Sequence, residues 1–261
     1  REGIPMVMMR DDRYAVGVAD AYSRITAGDR IGVCTVYGGV NAAGLQYAYP
    51  GLAQAYEDNS PVLCITDGAP IGSSENSHFD ITSSLKSVSK WYGYVDKPER
   101  VPEFMRRAFS MLRNGRPGPV IIAIPDPTGQ YDETIDPYTP VKSYKSAPDP
   151  ADVSTAVDLL LKAEHPLIYA GEGVIYAGAS AELKAFAELA SSPVITTLKS
   201  KGVMPEDHPL FVGVRGDHTA EYLAKSDLIL SVGSSLSPGR FSHAIPDAVN
   251  KIIIQCNISE L

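Results

Sequence analysis

Two adjacent carboxylates near the start of the chain form its most unusual charge pattern. Arg10-Asp11-Asp12-Arg13 sets them between two guanidinium groups, directly before an apolar pattern of helical spacing. Carboxylates in such a place can transfer protons in catalysis. They can equally cap the helix and interact favourably with its dipole. The residues by themselves leave both interpretations open.

Small residues follow several predicted strands, where parallel sheets usually bind their ligands. These turns come after Val36, Thr66, Ala170 and Val232. In the third, Gly171-Glu172-Gly173 would let a phosphate approach the backbone, although the complete dinucleotide fingerprint is absent. The same glycines could simply form a tight turn between strand and helix.

Other familiar catalytic arrangements are missing. The five histidines lack the i, i+4 spacing of a helical zinc pair, and no Gly-x-Ser-x-Gly segment supplies a hydrolase nucleophile. The three cysteines, Cys34, Cys64 and Cys256, lack metal-ligand spacing and lie in apolar runs that indicate buried strands. We therefore predict no metal site in this chain and a reducing, cytoplasmic location.

The elements that would position these residues alternate between strands and helices. The strand runs are short, β-branched and flanked by turn residues, which is typical of parallel strands buried on both faces. This pattern predicts an α/β protein with parallel sheets in three layers. The predicted strands cover 31–36, 62–66, 120–124, 166–170, 194–197, 228–232 and 251–256, and the predicted helices cover 14–27, 52–58, 98–112, 153–160 and 183–190.

A stretch without apolar periodicity divides the series in two. It is rich in proline, tyrosine, aspartate and lysine, which is typical of an interdomain linker. We predict a first domain at 1–130, a linker at 131–150 and a second domain at 151–261. Because the chain opens with Arg1 rather than methionine, we expect the first domain to be truncated at its start.

Length and charge exclude several classes of protein. At 261 residues the chain is too long for a disulfide-stabilised miniprotein and can bury sizeable cores. Its net charge of −8 makes nucleic acid an unfavourable primary partner. No window offers about 18 consecutive apolar residues, so we predict no membrane span.

Six segments occur in an order that is characteristic of one enzyme family. They are VADAYSR at 18–24, AQAYEDNSP at 53–61, NGRPGPV at 114–120, GEGV at 171–174, PVITT at 193–197 and GVMPEDHPL at 202–210. Together they resemble thiamine-diphosphate-dependent enzymes of the acetolactate synthase type. The resemblance implies a pyrimidine-binding domain followed by a Rossmann-like central domain.

The resemblance also implies a cofactor, an assembly and a reaction. Family members are homodimers or homotetramers that bind thiamine diphosphate between subunits. A carboxylate on the pyrimidine ring favours the tautomer that removes the thiazolium proton, and the cofactor then attacks a 2-oxo acid. The enzyme would be a carboligase, hence a transferase, or a decarboxylase, hence a lyase. Magnesium and the diphosphate would be held by a third domain, beyond Leu261.

The resemblance carries five site residues onto this sequence, Asp12 by an ungapped count from the VADAYSR motif and the others by their place in the family pattern. Asp12 falls where the family has its glutamate, so the carboxylate is kept on an arm shorter by one C–C bond, about 1.5 Å. Gly38, Gly39 and Asn41 belong to the turn that lies against the pyrimidine ring, and His78 lies in a stretch that faces the substrate.

Two departures from the family pattern bear on function. Ser235 stands where flavin-containing members have an arginine, so the resemblance makes FAD unlikely. Aspartate in place of glutamate leaves open a second function, a cofactor-binding or assembly subunit with impaired or no turnover. A nucleotide-dependent transferase that uses Gly171-Glu172-Gly173 is a third hypothesis.

Overall fold

The computed structural model describes residues 3–38, 43–68, 81–125, 129, 131–237 and 243–259. They form two compact units, Arg1–Lys145 and Ser146–Leu261. None of the helices among these residues is long and apolar enough to cross a membrane.

The first unit is a four-stranded parallel sheet of order β1-β2-β4-β3. Helices pack on both of its faces, so the unit has three layers. On one face Val16, Leu45 and Leu52 pack against Cys34 and Cys64 of the sheet. The elements are α1 (Asp12–Ile25), β1 (Gly32–Val36), α2 (Ala43–Glu57), β2 (Val62–Thr66), α3 (Ile81–Leu85), β3 (Trp91–Tyr94), α4 (Val101–Arg113) and β4 (Val120–Ala123).

The opposite face of this sheet is covered by α4. Ala108 and Leu112 of that helix pack against Leu63, Val120 and Ile122 of the strands. Both faces of β2 and β4 are therefore apolar, which explains why their sequences are continuous hydrophobic runs rather than alternating ones.

The second unit is a five-stranded parallel sheet of order β7-β6-β5-β8-β9. Its two faces carry separate cores, one containing Val174 and Leu183 and the other containing Leu223. The elements are α5 (Pro150–Leu160), β5 (Pro166–Ala170), α6 (Gly173–Tyr176), α7 (Ser180–Ala190), β6 (Val194–Thr196), β7 (Phe211–Gly213), α8 (Asp217–Lys225), β8 (Leu228–Val232) and β9 (Ile252–Cys256).

The predicted fold class, two parallel three-layer α/β units, is confirmed. The prediction for α2 was too short, because the helix begins at Ala43 and continues through Pro50. Its buried residues Leu45, Ala48 and Leu52 follow helical spacing, which was the available signal. Cys256 was wrongly predicted to be buried, since it is exposed on β9.

Two motifs of the sequence analysis tie α1 to the end of α2. Arg24 of the first motif contacts Asp20 and Asp58, with N–O distances of 2.8 Å to each carboxylate. Ser23 donates to Pro61 O at 2.6 Å and accepts from Gly32 N at 2.8 Å. These motif residues fix the carboxyl end of α1 against the start of β1 and the loop between α2 and β2.

Candidate functional site

The two carboxylates of the charged segment have different structural roles. Asp11 is the N-cap of α1, with an extended backbone, and its Oδ1 accepts from Arg13 N at 2.8 Å. Asp12 is the first residue of the helix and is partly buried. The capping interpretation is therefore correct for Asp11, and Asp12 remains the candidate for chemistry.

The Asp12 carboxylate lies where the end of β1 meets the start of α2. A Cβ placed on Gly44 would stand 3.0 Å from Asp12 Oδ1 and 2.6 Å from Tyr37 O. Leu45 N donates to the same Tyr37 O at 3.0 Å. Because Gly44 has no side chain, α2 can begin against Tyr37 with the carboxylate alongside.

Gly38 packs against the turn that follows β2. A Cβ on Gly38 would stand 1.8 Å from Asp67 O and 2.5 Å from Thr66 Oγ1, which no side chain tolerates. Gly38 N also donates to Asp67 Oδ1. The first residues after β1 and β2 thus meet at the carboxyl edge of the sheet, the edge where parallel sheets usually bind their ligands.

Asp67 was missed by sequence reasoning. Its carboxylate fixes the backbone at Gly38, the last described residue after β1. A carboxylate directly after the buried strand β2 was a signal that could have identified it.

The strands that end at this edge carry two buried thiols. Cys34 and Cys64 are partners in the β1–β2 register and both are buried. The pKa of the Cys64 thiol is raised by its hydrogen bond with Cys34 and by burial, with a smaller contribution from the charge of Asp12. Asp12 stands in the first turn of α1, where the positive end of the helix dipole favours a carboxylate.

The remaining predicted site residues, Gly39, Asn41 and His78, lie outside the described residues. Of the predicted set, the structure brings Asp12 and Gly38 to the same edge of one sheet. Among the residues that the structure describes, no group of three or more His, Cys, Asp or Glu side chains could hold a metal ion.

The glycines of the second unit are explained by close packing. Gly171 N donates to Val232 O at 2.8 Å, and Gly173 N donates to Gly233 O at 3.0 Å. A Cβ on Gly171 would stand 2.3 Å from Gly233 O, and one on Gly173 would stand 2.7 Å from Gly233 Cα. The tight-turn interpretation accounts for these residues without a phosphate.

Comparison with known proteins places both units in one family. Residues 1–87 match the thiamine pyrophosphate enzyme N-terminal TPP binding domain, and residues 153–261 match the thiamine pyrophosphate enzyme central domain. The matches lie in the predicted order and cover most of the chain.

Curated relatives align over nearly the whole chain. Glyoxylate carboligase of Escherichia coli O157:H7 is 37% identical over 259 residues, which is 95% of this chain and 42% of the relative. The acetolactate synthase large subunit of Corynebacterium glutamicum is 33% identical over 239 residues, 87% of this chain and 37% of the relative. The chain thus spans less than half the length of these two relatives.

A solved structure shows the same fold. Benzoylformate decarboxylase from Polynucleobacter necessarius superposes with a TM-score of 0.79 over 98% of this chain and 49% of that one, at 22% identity. With two family domains matched in order and this fold in common, the chain belongs to the thiamine pyrophosphate enzyme family, of which it carries the N-terminal and central domains.

Proposed function

We propose that this chain is part of a thiamine-diphosphate-dependent carboligase or decarboxylase that acts on a 2-oxo acid. The observation that carries the proposal is the Asp12 carboxylate in the first turn of α1, beside Gly44 at the carboxyl edge of the first sheet. The named activities of the relatives, which include a carboligase, a synthase and a decarboxylase, support the reaction class.

The residues present fit the aminopyrimidine part of this cofactor. The ring has a nitrogen that can pair with a carboxylate through a charge-assisted hydrogen bond, and Asp12 supplies that carboxylate. Gly44 leaves space beside it, because a Cβ on this residue would stand 3.0 Å from Asp12 Oδ1. We assign Gly38, Gly39 and Asn41 to the turn against the ring and His78 to the substrate side. When bound, the cofactor supplies the nucleophilic carbon and the electron sink.

Asp12 acts on the protonation of the cofactor ring. With the cofactor bound, its carboxylate would accept a hydrogen bond from the protonated ring nitrogen and so would favour the ring form that acts as a base. Because aspartate is shorter than glutamate by about 1.5 Å, Asp12 would reach the ring through a shifted backbone or through one bridging water.

A second copy of the chain is the partner that best fits the exposed face of α1. Tyr14, Val18, Tyr22 and Ile25 form one stripe of this helix and are 46–85% exposed. Apolar stripes of this kind are usually buried in a subunit interface. Asp12 begins the same helix, so a dimer through this face would place the cofactor between subunits.

Further parts of the proposal follow from the family. Magnesium and the diphosphate group belong on a domain outside residues 1–261, and the assembly is a homodimer or homotetramer. A cytoplasmic location fits Cys34 and Cys64, which are register partners yet carry free thiols. The absence of FAD stays a prediction that rests on Ser235.

The reaction class can be tested with the complete gene product. We expect thiamine-diphosphate-dependent consumption of glyoxylate, pyruvate or benzoylformate, reduced at least about 100-fold in Asp12→Ala. Asp29→Ala, which removes an exposed carboxylate just after the same helix, should keep full activity. Equal activity of Asp12→Ala and Asp29→Ala would exclude the role given to Asp12.

The second candidate is a cofactor-binding or assembly subunit with little or no turnover. It is favoured by one observation, the shorter aspartate in place of the family glutamate. Calorimetry that detects cofactor binding without turnover of any of the three acids would support it. Restoration of turnover by Asp12→Glu would then show that arm length is the cause.

A further inference from the structure

A cavity lies at the amino edge of the first sheet, opposite the carboxyl edge beside which Asp12 lies. Part of its lining lies shortly before the strands, with Asn59 before β2, Lys90 before β3 and Pro117 before β4. The ends of α2 and α4 complete its walls. The volume is about 490 Å³, which is in the range of small-molecule sites.

Two cations line this cavity. Lys90 is partly buried, and its Nζ donates to Met111 O and Asn114 O at the carboxyl end of α4. An ammonium has three donors, so these bonds use two of them. Arg116 Nε donates to Asn59 Oδ1, which orients a guanidinium with five N–H donors.

The cavity is held in shape by the segment between α4 and β4. Asn114 is buried, donates through Nδ2 to Ser110 O at 2.9 Å and accepts from Tyr144 N at 2.9 Å. A Cβ on Gly118 would lie 3.4 Å from Lys90 Cβ and 3.9 Å from Tyr56 Cδ2, so the lysine stem and the tyrosine ring flank this glycine.

The rest of the lining suits the non-ionic part of a ligand. Tyr56 and Tyr144 are 41% and 69% exposed and offer flat apolar surface. The Glu57 carboxylate, also in the lining, can accept hydrogen bonds from hydroxyl groups. An inorganic phosphate alone would leave most of the volume unfilled.

We propose that this cavity binds a small organic phosphate monoester, of the size of a sugar phosphate or a nucleoside monophosphate. The phosphate is held by the Arg116 guanidinium and the remaining donor of Lys90 through charge-assisted hydrogen bonds, and these two cations offset the negative end of the α4 dipole and the Glu57 carboxylate. The sugar or base lies toward the two tyrosines. The site is independent of the function proposed for Asp12, because it is built from different residues at the opposite edge of the sheet.

Burial lowers the pKa of Lys90. An anion bound beside the ammonium would favour its charged form and so offset the effect of burial. An anionic ligand would therefore stabilise the charged form of Lys90 more than it would stabilise that of a fully solvated lysine.

Calorimetry on the 261-residue chain tests the proposal with AMP, glucose 6-phosphate, adenosine and glucose as probes. We expect at least one monoester to bind at least tenfold more tightly than its phosphate-free counterpart. Arg116→Gln should weaken that binding at least tenfold. Arg30→Gln, which removes another exposed guanidinium of the same unit, should leave it unchanged.

Three further results interpret the measurement. Tyr144→Ala should weaken AMP more than glucose 6-phosphate if the ring of a nucleotide is recognised. Asp12→Ala should leave monoester binding unchanged, which separates this site from the cofactor site. Lack of binding at 10 mM of either monoester, or equal affinity in Arg116→Gln and Arg30→Gln, would overturn the proposal.

Discussion

At the scale of single residues, a cap and a candidate catalytic group sit side by side. Asp11 satisfies a backbone N–H of α1, and Asp12, one residue later, turns its carboxylate toward Gly44 and the end of β1. The cap fixes the first turn of the helix, and the first turn fixes the carboxylate. The position of Asp12 therefore depends on residues that take no part in chemistry.

Gly44→Ala should damage the site more than an ordinary helical substitution does. Its Cβ would come within 2.6 Å of Tyr37 O, so α2 must shift away from β1 and from Asp12. We expect a loss of about 1–3 kcal/mol in the free energy of unfolding, measured by urea denaturation.

Gly17→Ala is the matched control for Gly44→Ala. Gly17 is also helical, and a Cβ there has no neighbour within 4 Å, so the change should stabilise the chain by about 0.5–1 kcal/mol. A Gly44→Ala variant as stable as Gly17→Ala would contradict the close approach described for Tyr37.

At the scale of elements, one arginine links the two helices beside the site. Arg24 of α1 is only one third exposed and pairs with Asp20 of its own helix and with Asp58 just after α2. Both carboxylates, through hydrogen bonds and charge, raise the pKa of Arg24 against the opposing effect of its burial. These are therefore partly buried ion pairs that join α1 to the loop after α2, not surface ion pairs.

Arg24→Met should leave two carboxylates without their shared cation. Asp20 is buried, so we expect a loss of about 2–4 kcal/mol in unfolding free energy. Arg100 on the surface also contacts two carboxylates, those of Asp96 and Glu103, and Arg100→Met should change stability little. Equal losses of unfolding free energy in the two variants would show that the ion pairs of Arg24 contribute no more than the surface ion pairs of Arg100.

In the second unit, Asp227 links the start of β8 to the loop before β5. Its carboxylate accepts from Glu164 N at 2.8 Å and from His165 N at 2.9 Å. Burial by itself raises the pKa of Asp227, but the backbone hydrogen bonds outweigh it and the pKa is lowered overall. The ionised carboxylate is thus favoured by folding.

Asp227→Ala should therefore destabilise the chain in a pH-dependent way. A carboxyl pKa that is lower in the folded state stabilises above the unfolded value, about 3.9, and this contribution is lost as the pH falls through the folded value. We expect a loss of about 1 kcal/mol at pH 7 that shrinks below about pH 4, measured by urea denaturation at each pH. A loss that is constant between pH 7 and pH 3 would contradict this account.

At the scale of the whole molecule, apolar patterning predicted most strands but not all elements. Continuous runs such as 62–66 and 166–170 coincide with β2 and β5, because strands buried on both faces need no alternation. β3 was missed because it is short and has Gly93 at its centre. The ring of Trp91 packs over that glycine, where a Cβ would stand 2.4 Å away.

The site could be predicted only through resemblance. Composition and spacing left Asp11 and Asp12 equivalent, since both precede the same helix. Only the family motif singled out Asp12, and only the structure shows that Asp11 is the N-cap of α1. Asp67 could not be recognised as a partner of Gly38 before the β1–β2 pairing was known, because 29 positions separate them in sequence.

The assembly proposed for the complete gene product depends on the exposed stripe of α1. Val18→Glu places a charge at its centre and should shift the protein toward monomers in light scattering, with loss of cofactor binding. Val153→Glu changes a similarly exposed valine of the second unit, 44% exposed against 51%, and should leave the subunit count unchanged. Intact oligomers in Val18→Glu would place the interface elsewhere.

The most direct measurement of the role of Asp12 is the hydrogen–deuterium exchange rate at the thiazolium carbon of enzyme-bound thiamine diphosphate, followed by quenched-flow NMR. The role proposed for Asp12 predicts exchange at least about 100-fold slower in Asp12→Ala than in Asp29→Ala, with recovery in Asp12→Glu. Exchange at the same rate in all three variants would contradict it.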